Sequence, residues 1–158
     1  MQTAISTIDD VTKNTIPVLN RLISICKDGQ YGFLTASNDV MTPACKTLFQ
    51  TYARQRAEFA AELQNIVSRL GADPETDGSI TGLIHREWMD IKAKITERNM
   101  TSIVEECERG EDTAVKAYAE ALKFDLGPDV TPVVQRHYAA IKTAHDNIRS
   151  LRNMRRSA

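Results

Sequence analysis

Two sets of side chains in this chain have a type and spacing that could do chemistry: polar residues set into apolar helical stripes, and three cysteines. Arg56 interrupts the series Cys45, Phe49, Tyr52, Phe59, Leu63, Ile66 and Leu70. Glu111, with Glu108 one turn earlier, does the same among Val104, Cys107, Val115, Tyr118 and Leu122. Glu87 falls between Ile84 and Ile91, and Asn20 borders Leu19 and Leu22. Brought to one level of a helical core, Asn20, Arg56, Glu87, Glu108 and Glu111 make a candidate buried polar layer. It can be an ion-pair network that sets helix register, or a non-standard metal or ligand site. The arginine already supplies the positive charge a bound cation would bring, so the structural reading is favoured. An unpaired buried charge costs several kcal/mol, which predicts that Arg56 pairs with Glu108 or Glu111.

Cys26, Cys45 and Cys107 each fall near the end of a helical segment, and an up-and-down arrangement would gather them at one end, beside Met41 and Met100. Soft ligands of this kind suit Cu(I). A buried cysteine is more often a small core residue, and no Cys-x-x-Cys or Cys/His spacing marks a zinc site. The expectation is a candidate thiol cluster of free cysteines with no metal or cofactor. His145 occupies a core position of the last segment and reads as hydrogen-bonded packing, while His85 and Trp88 share a face. There is no glycine-rich phosphate loop and no Ser/His/Asp order, so no catalytic residue is assigned and the chain is not expected to be an enzyme.

Charge and hydropathy narrow the classes further. A net charge of −1 gives no field to steer nucleic acid. Arg149, Arg152, Arg155 and Arg156 cluster at a helix end, where cations offset the helix dipole, and no aromatic residue is interleaved with them for stacking bases. No apolar run approaches the roughly 20 residues of a membrane span, and the N-terminus lacks the pattern of a signal peptide. The expected location is the cytoplasm, without nucleic-acid or membrane partners.

The elements that must hold these groups are helices in one domain, 1–158. Apolar periodicity predicts helices over 8–28, 43–70, 79–98, 102–124 and 132–154. Pro17 marks a kink or the true start of the first, and Asp28-Gly29 its stop. A loop follows over 30–42, long enough to cross over. Thr42-Pro43 starts the second helix and Gly71 ends it. Ser79 caps the third, and Ser102-Ile103-Val104-Glu105 has the form of a capping box for the fourth. Gly127-Pro128 and Thr131-Pro132 are a further stop and start. Residues 72–78 are too few to carry the chain back along the second helix, so its successor must run antiparallel to it. The fold class is therefore all-α, an antiparallel up-down-up-down four-helix bundle over 11–124 with an additional packed helix over 132–154.

Several strings together resemble an uncharacterised bacterial family of ferritin-like four-helix-bundle proteins, a domain of unknown function. They are Leu19-Asn20-Arg21-Leu22-Ile23 with Asp28-Gly29 and Gly32-Phe33, Gln55-Arg56-Ala57-Glu58-Phe59-Ala60-Ala61-Glu62-Leu63-Gln64, Gly78-Ser79 with His85-Arg86-Glu87-Trp88, and Glu106-Cys107-Glu108-Arg109-Gly110-Glu111-Asp112. Pro17 departs from the unbroken first helix expected there. The resemblance implies fold and bacterial origin but no activity. Di-iron sites on this fold use Glu-x-x-His pairs. The residues three before His85, His137 and His145 are Gly82, Val134 and Lys142, so that site is not present. The expected function is a non-catalytic interaction or stress-associated bundle, with a homo-oligomer as a possible state; the alternative is a metal-binding or redox protein using the carboxylates or the thiols.

Overall fold

A computed structural model of the chain describes residues 2–40, 42–78 and 100–157. Among the described residues there are four helices: α1 (Gln2–Asp39), α2 (Pro43–Arg69), α3 (Met100–Ala121) and α4 (Thr131–Ser157). Local chemistry accounts for both ends of α2. Thr42 is extended, at φ −79° and ψ 122°, and Pro43 opens α2; the Thr42 side chain makes no capping bond, so the proline sets this start. Gly71 and Gly127 have φ of +85° and +86°, the left-handed conformation that lets the chain leave a helix or turn sharply.

Several boundaries differ from the sequence reading: α1 begins at Gln2 rather than 8, α3 ends at Ala121 rather than 124, and α4 reaches Ser157 rather than 154. The first helix does not stop at Asp28-Gly29 but runs on to Asp39, absorbing most of the stretch expected to be a loop. Gly29 is there for close packing: a Cβ at this position would sit 3.3 Å from Arg56 Cγ and 3.4 Å from its Nη1. Burial of Phe33, Ala36 and Val40 against α2 and α3 offsets the weak helix propensity of Gly29 and Gly32. Because α1 ends at Asp39 and α2 begins at Pro43, there is no crossover between them. Pro17 lies inside α1 without ending it. In the fourth expected helix, Met100, Thr101 and Ser102 are already helical, so Ser102 is not the N-cap of α3. The expected helix over 79–98, with its cap Ser79 and with Glu87, His85 and Trp88, lies outside the described residues.

Two core clusters give the direction of each helix. One joins Leu19, Leu22 and Ile23 to Leu63 and Val67, Ala117 and Ala121, and Val134. The other joins Phe33 and Val40 to Cys45 and Phe49, Ile103 and Val104, and Ala144 and Ile148. Thus α1 and α4 run one way and α2 and α3 the other. Helix α2 ends at the first cluster and α3 begins at the second. For the described helices these are the directions that the expected up-and-down order gives, with the C-terminal helix packed into both clusters; the antiparallel pairing expected of α2 with its successor lies outside the described residues. Each fully buried Leu or Ile contributes about 1.5–3 kcal/mol, so the fold rests on these stripes.

Candidate functional site: a buried polar centre

At the junction of the two clusters the stripes carry charge. Arg56 of α2 and Glu111 of α3 are 0% and 1% exposed. Both terminal guanidinium nitrogens donate to the carboxylate, Nη1 to Oε1 and Nη2 to Oε2, each at 2.7 Å. A planar fork matched to a carboxylate gives direction as well as charge. Phe33 lies over the guanidinium, 5.5 Å from Cζ to the ring centroid, within cation–π range. Gly29, one turn before Phe33 on the same helix, lets α1 come close to the arginine side chain. The expected pairing of Arg56 is therefore with Glu111.

The rest of the candidate layer disperses. Glu108 is buried but does not meet Arg56; Arg152 Nη1 donates to its Oε1 at 2.7 Å, and Arg149 Nε lies 3.5 Å from the same oxygen. Three residues before Glu111, Glu108 is rotated about 60° around α3 and faces α4 instead. Asn20 Oδ1 accepts from the Glu75 backbone N–H at 2.9 Å, tying the 71–78 loop to α1. Glu87 lies outside the described residues.

The thiol cluster is also corrected. All three cysteines are buried and free, but Cys26 packs in the first core cluster and Cys45 and Cys107 in the second. Since α1 continues to Asp39, Cys26 sits about 20 Å short of its end at 1.5 Å per residue. Burial pushes the Cys26 thiol up to about 11, with the Tyr118 hydrogen bond opposing. It pushes Cys107 well above the ordinary thiol range, and Glu111 and Glu106 add to this.

Separate from the charged pair is a chain of neutral groups that the sequence reading missed. Tyr118 Oη lies 3.1 Å from Cys26 Sγ and 3.1 Å from His137 Nδ1. Tyr118, Cys26 and His137 are each 0% exposed. The His137 ring stacks on Phe59, with centroids 3.9 Å apart and planes 13° apart. Its Nε2 is 3.4 Å from Glu62 Oε1, a contact without hydrogen-bond alignment, so among the described residues this buried nitrogen has no hydrogen-bond partner. Glu62 is partly exposed and pairs with Arg136. Burial pulls His137 down to about 4, although Glu62 favours the charged ring; Arg136 adds to the depression. Burial also raises Tyr118 well above the usual phenol range. All three inner groups are neutral at pH 7. The available signal was Tyr118 itself, a hydroxyl in an apolar stripe that needs a partner. His145, by contrast, takes the packing role expected, with Nε2 2.5 Å from Asp112 Oδ1.

Residues 14–124 match a protein family described as Domain of unknown function, DUF2383. The chain belongs to this family. Curated proteins yield no match. Among solved structures, this DUF2383 protein is similar to a mutant of Mycobacterium smegmatis Dps1, at 12% identity and a TM-score of 0.73, covering 91% of this chain and 98% of that one. It is equally similar, with a TM-score of 0.73 and 14% identity, to a dodecameric thioferritin, the bacterioferritin-related protein of Bacteroides fragilis; here the coverage is 99% and 96%. The fold is thus the ferritin-like four-helix bundle.

That fold raises the question of iron, and among the described residues the inward carboxylate and imidazole are engaged elsewhere. Glu111 is saturated by a guanidinium, and His137 Nδ1 is engaged by Tyr118. Glu62 is turned outward to Arg136. Among the described residues, no group of three or more His, Cys, Asp or Glu is disposed to hold a metal ion. No helix among them is long and apolar enough to cross a membrane.

Proposed function

We propose that this DUF2383 protein is a non-catalytic, self-associating helical bundle of the bacterial cytoplasm, an interaction or stress-associated protein that keeps the ferritin-like fold without its iron chemistry. The observation that carries this reading is the bidentate Arg56–Glu111 pair at the buried centre. A fixed side-chain cation there does what a metal would otherwise do: it neutralises an inward carboxylate and joins two helices. A cation entering the same place would meet the guanidinium charge in a low-dielectric site, where repulsion is strong. Self-association is supported by one structural neighbour being described as dodecameric. Protein surfaces are favoured as partners over nucleic acid, because Arg149 and Arg152 are drawn onto Glu108 and the net charge is −1.

Elemental analysis and native mass on untagged protein, purified without chelator, test both parts. The expected result is metal far below one per chain and a mass that is a multiple of the single chain. Stoichiometric iron, copper or zinc would overturn the metal-free reading in favour of a carboxylate or thiol site. A monomer at all concentrations would overturn the assembly.

A further inference from the structure

The Cys26–Tyr118–His137–Glu62 chain has no part in the proposal above and is ordered in a way that packing alone does not require. It places, in sequence, a hydrogen-atom donor, an oxidisable phenol, a neutral base and a partly exposed carboxylate. We propose that these four residues form a proton-coupled relay through which the bundle takes one oxidising equivalent from a soluble one-electron oxidant and holds it on the Cys26 sulfur.

Tyr118 is the point of oxidation. It is fully buried, so a charged phenol radical cation would be poorly solvated and the proton must leave with the electron. His137 Nδ1, 3.1 Å from the hydroxyl, is placed to receive that proton. Phe59 stacked on the ring holds it in plane. The other nitrogen has no hydrogen-bond partner among the described residues and faces Glu62 Oε1 across 3.4 Å, a gap that a small movement of the partly exposed glutamate closes. Tyr52 provides a contrast: its hydroxyl accepts from the Asn147 amide at 3.0 Å, and an amide cannot take the proton. Helix diameter with side chains is roughly 10–12 Å, so the electron crosses about one layer of helix.

The steps balance. Tyr118 gives one electron to the oxidant, which is reduced by one, and its O–H proton passes to His137 Nδ1. His137 gives its Nε2 proton to Glu62 and is left as the other neutral tautomer; Glu62 releases the proton to solvent. Cys26, 3.1 Å from the tyrosyl oxygen, then transfers a hydrogen atom: the S–H bond breaks, the Tyr118 O–H bond re-forms and the unpaired electron resides on sulfur. The net change is loss of one electron and one proton from the Cys26 thiol.

The test is freeze-quench electron paramagnetic resonance after mixing the full chain with hexachloroiridate(IV). In wild type a tyrosyl signal should be transient and give way to a sulfur-centred product. Cys26→Ser keeps a hydrogen-bonding hydroxyl that does not donate a hydrogen atom readily, and should make the tyrosyl signal persist. Adding Tyr118→Phe should remove that signal and leave only the contribution of the other aromatic residues. In the Cys26→Ser background, His137→Gln should slow formation of the signal by roughly a hundredfold, the usual scale of a lost proton acceptor. Circular dichroism checks that each variant is folded, and Cys26→Ala replaces Cys26→Ser if the latter is not. Equal tyrosyl lifetimes in wild type and the Cys26 variant would overturn the transfer to sulfur. Identical spectra with and without Tyr118→Phe would overturn the relay altogether.

Discussion

Removing either half of the Arg56–Glu111 pair should destabilise the bundle, but only loss of the arginine should do so in a pH-dependent way. The two groups are 0% and 1% exposed and share two 2.7 Å hydrogen bonds. Glu111→Ala leaves a guanidinium that cannot lose its proton, so the buried charge stays, at a cost of about 3–5 kcal/mol across the working pH range. Arg56→Met leaves a carboxyl that can neutralise by taking a proton from solvent. Relative to an ordinary glutamate, that uptake costs at most about 3.7 kcal/mol at pH 7 and about 1 kcal/mol at pH 5. In this variant the folded state binds the extra proton, so the deficit shrinks as pH falls. The double change Arg56→Met/Glu111→Leu removes both charges and should lie within about 1 kcal/mol of wild type, or above it. Urea unfolding followed by far-ultraviolet circular dichroism at pH 5, 6 and 7 gives these differences, each against wild type at the same pH. In thermal melts a 4 kcal/mol loss corresponds to roughly 10 °C for a chain of this size. Parallel pH profiles for the two single variants, or a Glu111→Ala loss below about 1 kcal/mol, would show the pair to be solvated and the reasoning wrong.

Three further outcomes follow from the same geometry. Gly29→Ala should cost about 1–2 kcal/mol despite alanine's better helix propensity, because the new methyl presses on Arg56; in an Arg56→Ala/Glu111→Ala background it should instead stabilise by up to about 1 kcal/mol, as a double-mutant cycle by urea unfolding would show. His137, held down at about 4 against an unfolded value of 6.5, takes up its proton on unfolding first; its contribution is therefore complete above pH 6.5 and lost as pH falls toward 4, by about 3 kcal/mol, and His137→Phe should flatten that part of the stability profile. Native thiol titration should be slow and should reach three per chain in denaturant, because all three cysteines are buried and Cys26 and Cys107 are held in the protonated form; fast reaction of any one would contradict its placement in a core.

The features legible in the amino-acid chain alone are those whose causes are local. Thr42-Pro43, Gly71 and Thr131-Pro132 set helix boundaries through backbone chemistry within a few residues, and the structure places these boundaries within one residue of the expected ones, whereas α3 ends at Ala121, well before Gly127-Pro128. Arg56 and Glu111 were legible as inward charges because a single polar residue in an apolar stripe has nowhere else to point. Helix packing settled what depends on how helix faces are rotated against one another. Gly29 reads as a stop until Arg56 of α2 is beside it, and only then is its missing side chain a condition for packing. The continuation of α1 carries Cys26 away from Cys45 and Cys107, so a cluster drawn from helix ends dissolved with that one boundary. A turn of about 60° around α3 sent Glu108 to Arg152 rather than Arg56. The Cys26–Tyr118–His137 chain joins three helices between residues 26 and 137, and no periodicity within one helix carries information about hydrogen bonds that close only when the helices meet.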